Sequence, residues 1–83
     1  MIIVISNHAR EQMLERGARE EEVIFAIEKG EFEPARRNRR LFRKNFQFNS
    51  IWRGRQYRIK QVAPLVADEG DKIVVVTVYV FYF

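Results

Sequence analysis

Between Arg36 and Lys60 the chain reads RRNRRLFRKNFQFNSIWRGRQYRIK, ten arginines and lysines threaded through Phe42, Phe46, Phe48, Trp52 and Tyr57 with no acidic residue among them. Guanidinium and ammonium groups neutralise phosphates and release counterions, and aromatic rings offer stacking surfaces to unpaired bases, so the combination points to nucleic acid. Alternating aromatic and polar residues are also the pattern of a half-buried strand. Both readings hold if the two sets occupy opposite faces. The cations of this stretch expected to contact RNA are Arg36, Arg37, Arg39, Arg40, Arg43, Arg53, Arg55 and Lys60.

Other chemistries find no support in the residue types. One histidine, no cysteine and scattered carboxylates provide no cluster of metal ligands, so neither a metal nor a cofactor is expected. There is no P-loop, dinucleotide fingerprint or Ser/His/Asp ordering. With 83 residues the chain has room for one domain with one modest core, and without cysteine that core rests on packing alone. No apolar run approaches the roughly 20 residues needed to span a bilayer, and the first residues lack a signal-peptide pattern, so the expectation is a cytoplasmic protein with no membrane partner.

The net charge of +4 conceals a segregation. Residues 1–31 carry four basic and seven acidic side chains, residues 32–61 carry ten basic and one acidic, and residues 62–83 carry one basic and three acidic. A basic block of that density attracts polyanions at long range.

The elements that must position these cations follow from periodicity. Met1–Ile5 is a short β-branched run and reads as a strand. Ser6 or Asn7 then supplies an N-cap, and Gly17 supplies the left-handed residue that ends a first helix over His8–Arg16. Ala9 and Met13 share its inward stripe, with Arg16 beside them. An inward arginine needs a carboxylate or carbonyl partner, or it reaches a pocket and binds phosphate there. A second helix is predicted over Glu20–Lys29, its three leading glutamates opposing the positive end of the macrodipole and Gly30 ending it. Val23, Ile24, Ala26 and Ile27 form its packed face, leaving Phe25 on the far side.

After Gly30 the period becomes two. Phe32–Asn38 reads as a connector or short strand interrupted by Pro34. Leu41–Asn49 and Gln56–Val66 alternate as strands joined by a turn at Arg53-Gly54, with Pro64 marking an edge or a bulge. Asp68–Asp71 forms a hairpin connection and Lys72–Phe81 a strand covered at least partly on both sides. The architecture expected is α+β in the order β-α-α-β-β-β, two helices packed on one face of a twisted antiparallel sheet. The helices are expected over Phe46, Phe48, Ile59 and the row Val74, Val76, Val78 and Val80. The other face would then present Arg43, Asn45, Gln47, Arg58, Lys60, Thr77 and Tyr79.

The order of elements and one motif carry a resemblance. His8-Ala9-Arg10, Met13 and Arg16-Gly17, then Glu21-Glu22-Val23 and the closing Val76-Thr77-Val78-Tyr79, resemble a domain family of unknown function that opens with His-Ala-x-x-x-Met-x-x-Arg-Gly. That family is similar in expected fold to the RelE/ParE toxins. Ala18-Arg19 departs from its pattern of an aliphatic residue followed by Ser or Thr, and the run Arg36–Arg40 is more basic than usual.

The resemblance implies a RelE-like toxin that cleaves RNA without metal, the ribose 2′-OH attacking the adjacent phosphate. Such a reaction needs a base, cations for the phosphorane charge and an acid for the leaving oxygen. On that reading His8 would act as base or acid, Arg58 with Arg43 or Lys60 would hold the phosphate, and Tyr79 would donate a hydrogen bond or proton. Arg16 would add a phosphate contact. The partners implied are RNA, ribosome-associated or free, and an antitoxin protein. Two other readings of the same residues stand beside it. One is a non-catalytic RNA-binding module. The other is an interaction protein that docks a partner, or a second copy in a homodimer, through Phe25 and the tail Phe81-Tyr82-Phe83.

Overall fold

The computed structural model describes residues 2–83. Helix α1 (Asn7–Arg16) begins where the Ser6 hydroxyl accepts the Ala9 N–H at 3.1 Å. It ends at Gly17, which at φ 80° donates its N–H to the Met13 carbonyl. Ala9 and Met13 are its buried residues, as their spacing predicts. Helix α2 (Glu20–Lys29) buries Val23, Ala26 and Ile27. Arg19 has no side-chain acceptor to cap it; Glu22 instead reaches back to accept the Arg19 N–H at 2.9 Å.

Strands β1 (Ile2–Ile5), β2 (Glu31–Ala35), β3 (Arg39–Trp52), β4 (Arg55–Asp68) and β5 (Lys72–Tyr82) form one sheet in the order β1-β5-β4-β3-β2. Met1, included in the expected first strand, lies outside the described residues. The last four strands make an antiparallel meander, one strand longer than expected because Glu31–Ala35 pairs with β3 and tolerates Pro34 on the outer edge. β1 pairs in parallel with β5, so the sheet is mixed. β1 covers β5 only over Lys72–Val75. Further along that rim, Gln12 and Arg16 of α1 bond the Val78 N–H and C=O at 2.9 and 2.8 Å.

Residues paired across antiparallel strands share a face, and the register fixes which face meets the helices. The row Phe42, Phe46 and Phe48 lies on the helix side as expected. Its partners on β4 correct the expected phase: Lys44 pairs with Val62 and Phe46 with Lys60, so Lys60, Val62, Pro64 and Val66 lie under the helices. Ile59 pairs with Gln47 and turns away. The valine row is also displaced. A bulge between Leu65 and Val66 inserts Val76, so Ile73 and Val75 fill the core before the bulge and Val78 after it. Pro64, fully buried and without an N–H, faces Phe42 where the β3–β4 ladder is interrupted next to that bulge.

Two tight turns shape the ends of the hairpins. Arg37 and Asn38 have φ 62° and 58°, and Arg53 and Gly54 have φ 50° and 84°. Two successive positive values mark the two-residue turns whose twist suits adjoining strands. Among the described residues, no helix is long and apolar enough to cross a membrane.

Candidate nucleic-acid interface

The last turn of α1 leaves carbonyls that the helix itself cannot satisfy. Side chains from the sheet take them one by one. Arg53 donates to the Glu15 carbonyl at 2.8 Å, the Tyr82 hydroxyl to Arg16 at 2.7 Å and the Lys60 ammonium to Gly17 at 2.9 Å. Trp52 stacks on Tyr82 with centroids 5.1 Å apart, and the Arg53 guanidinium lies 5.2 Å from the centre of the Trp52 ring. Gly17 is required here twice over: its φ is left-handed, and a Cβ would stand 2.6 Å from the Tyr82 hydroxyl and 2.8 Å from Trp52.

This clamp holds Arg16 at the β5 rim. Its guanidinium donates to the Val78 carbonyl and lies 5.7 Å from the centre of the Tyr79 ring, which is 40% exposed. The inward arginine thus has the carbonyl partner it requires and still presents a cation beside an accessible aromatic surface. Next to it, Glu15, Arg16, Trp52, Arg53, Val80 and Tyr82 line a cleft of about 200 Å³. Burial, then the negative Glu22, pushes the Tyr82 phenol above its ordinary value, and Arg53 pulls the other way.

On the face away from the helices, a chain of contacts runs across the strands. Glu33 accepts from Arg43 at 3.3 Å, Arg43 donates to Gln61 at 3.3 Å, and Gln61 donates to Asn45 at 2.9 Å. At the β3 side, Lys29, Gly30, Glu31, Arg43, Lys44, Asn45 and Gln61 line a larger cleft of about 350 Å³. No group of three or more His, Cys, Asp or Glu residues is placed to hold a metal ion among the described residues.

Residues 5–80 match the family described as Domain of unknown function (DUF4258). The chain belongs to that family. Comparison with curated proteins and with solved structures returns no match.

In this DUF4258 domain the candidate residues fall into separate groups. Arg16 and Tyr79 are brought together, with Arg53 on the adjoining cleft. His8 is exposed on the first turn of α1, eight residues before Arg16 and so about 12 Å away along the axis at ~1.5 Å per residue. Arg58 is exposed; its backbone N–H and that of Ile59 both donate to the Phe83 carbonyl, at 2.8 and 3.2 Å, the mark of another bulge. Arg55 is exposed beside the turn, opposite Trp52.

The expected gathering of cations on the open face is corrected by the register. Arg36 and Arg37 form an exposed turn at the other end of the β3–β4 hairpin, on the order of 40 Å from Arg53 at ~3.3 Å per residue. Arg39 pairs with Ala67 and is half-buried. Arg40 lies 5.3 Å from the centres of both Phe32 and Phe42 and 3.5 Å from an Asp68 oxygen, so its charge is matched. Lys60 is a tenth or less exposed at 4% and pairs with Glu22 at 2.9 Å; it holds the helices to the sheet and cannot meet RNA. Arg43 stands among the polar side chains of the open face as expected, bonded to Glu33 and Gln61.

Sequence reasoning missed Gln61 and the Trp52–Tyr82 stack in this DUF4258 domain. Gln61 shares its row with Ile59, Ala63 and Leu65, which read from the sequence as the covered side, so only Asn45 falls on the polar phase of its strand. The second joins Trp52 of β3 to Tyr82 of β5 across the intervening β4, which no local pattern reveals.

Proposed function

We propose that this domain binds RNA through the cations and aromatic rings at the β5 rim and the adjoining open face. The observation that carries the reading is the Arg16 guanidinium held beside the exposed Tyr79 ring, with Arg53 across a neighbouring cleft. A fixed cation next to a free ring offers a phosphate contact and a base contact within one nucleotide's reach. The test is binding of short RNA at several salt concentrations. Affinity should fall steeply with salt, and Arg43→Ala, on the open face, should reduce the salt slope by about 1. Salt-independent binding, or none at low salt, refutes the reading.

A second reading, a metal-independent endoribonuclease of the RelE-like kind, is favoured by the same pair. Arg16 would stabilise the phosphorane charge while the Tyr79 phenol donates to a phosphate or leaving oxygen. His8, at the opposite end of α1, stands apart from this pair, so the 2′-OH proton would pass to a non-bridging oxygen of the attacked phosphate or to water, and the Tyr79 phenol would protonate the leaving 5′-oxygen. Incubation with free and ribosome-programmed RNA tests it: 2′,3′-cyclic phosphate ends should form, and Tyr79→Phe should bind RNA but not cut it. A harmless protein that binds and never cleaves leaves the RNA-binding reading alone.

A further inference from the structure

We propose that the face of the sheet away from the helices is a stacking platform for unpaired bases, and that single-stranded RNA crosses it along the row Phe81, Gln61 and Asn45. This rests on the RNA-binding reading and adds how the strand is held. Tyr79 and Phe81 occupy alternate positions of β5, are 40% and 43% exposed, and lie nearly parallel with centroids 6.5 Å apart and planes 17° from each other. Opposite Tyr79 on β4 stands Ala63, too small to cover the ring, and opposite Phe81 stands Gln61. Two adjacent rings left open on a regular strand offer one surface per base, a use of aromatic side chains that is tolerant of sequence.

The neighbours on the same face supply what stacking lacks. The Gln61 side chain is held by its bonds to Asn45 and Arg43, which places two amides beside the rings where the edges of splayed bases would lie. Cations stand at both ends of the row. Arg16 flanks Tyr79 at the β5 rim, and Arg43, paired with Glu33, stands on the open face at the β3 side, where Glu31 and, from the helix side, Lys29 and Lys44 complete the lining of the cleft. β5 and β3 are two strand spacings apart, about 10 Å, so one short segment of backbone reaches both sets. A duplex keeps its bases paired and stacked on each other, and cannot present them to these rings. This is what separates the occupant from a generic polyanion.

The experiment compares a short mixed-sequence single-stranded RNA with the duplex of the same length, using the unaltered protein, Tyr79→Leu and Phe81→Leu. A fluorescent adenine analogue in the single strand reports stacking directly in the unaltered protein, whatever the variants do. Expected are quenching on binding, preference for the single strand, and a loss of about 5-fold or more for each leucine variant with the salt slope unchanged. Thermal melts confirm that the variants fold; if either melts early, the quenching result decides. Equal affinity for duplex and single strand, or binding without quenching, overturns the platform and leaves RNA binding by phosphate contacts. Failure of the unaltered protein to bind any RNA removes both readings. Self-association lost in the leucine variants, with RNA affinity unchanged, assigns the face to a second copy of the chain and overturns the proposal.

Discussion

The Lys60 ammonium lies 2.9 Å from a Glu22 carboxylate oxygen, with side chains only 5% and 12% exposed. The same ammonium donates to the Gly17 carbonyl, so one cation joins the end of α1, the start of α2 and the middle of β4. Removing one member of a buried pair strands the other in a poorly solvated site. Lys60→Ala should therefore cost about 3–5 kcal/mol, and the double variant Lys60→Met with Glu22→Leu should recover most of that loss. Denaturant unfolding of Lys60→Met, Glu22→Leu and the double variant checks this. Equal costs for the double variant and the sum of the singles would show that the pair does not act as a unit.

Gly17 and Gly54 share a left-handed backbone, with φ 80° and 84°, but differ in surroundings. Around Gly54 a Cβ would meet nothing within 4 Å, whereas at Gly17 it would meet Tyr82 and Trp52. Gly54→Ala should cost about 1 kcal/mol, the conformational penalty alone. Gly17→Ala should cost at least about 2 kcal/mol, since overpacking is added. Melting temperatures of the two variants measure the difference.

Tyr82 makes part of the fold's stability sensitive to alkali. Its phenol is held above the ordinary value of 10.0, chiefly by burial, so the folded state retains the proton after the unfolded chain has begun to lose it. The stability this contributes is complete below pH 10 and is lost as pH rises through the folded value. Tyr82→Phe should lower stability at neutral pH by about 1 kcal/mol through loss of the bond to the Arg16 carbonyl. It should also remove this phenol's part of the decline above pH 10. Unfolding followed from pH 8 to 12 in both proteins, with tyrosinate absorbance, tests both halves.

Arg37 sits at φ 62° in an exposed turn where asparagine or glycine is the usual occupant. Arg37→Asn should raise stability by roughly 0.5–1 kcal/mol. Arg53, at φ 50° in the corresponding turn, should behave differently, because its side chain is bonded to Glu15 and stacked on Trp52. Arg53→Asn is expected to destabilise, and denaturant midpoints for the two substitutions should move in opposite directions.

The local parts of this fold were legible in the chain. Ser6 and Gly17 bracket α1, the three leading glutamates and Gly30 bracket α2, and Arg53-Gly54 makes the turn between two long strands. These signals depend on a few neighbouring residues and their backbone preferences. What could not be read was phase across the sheet. Val74, Val76, Val78 and Val80 read as one aliphatic row, and a single bulge at Val76 moves the core side to Ile73 and Val75 before it while Val78 keeps its place. Lys60 misled for a related reason: a lysine among apolar residues looks solvent-facing until Glu22, distant in sequence, is known to wait beside it. The candidate site suffered most, since the even spread of cations along Arg36–Lys60 gave no hint that the hairpin would carry them to opposite ends. Arg16 was the exception, because an arginine on an inward helical stripe demands an explanation wherever it occurs.

The way α1 fastens itself over Val78 also governs how these molecules behave towards one another. A bare rim of this kind lets a neighbour zip on and begin a fibre. Gln12 and Arg16 plug the sockets at Val78 with groups from the same chain, so an incoming neighbour finds its run broken halfway. Loss of both plugs, in Gln12→Ala with Arg16→Ala, should make the protein clump at lower concentration than the unaltered chain, visible by light scattering before any change in melting.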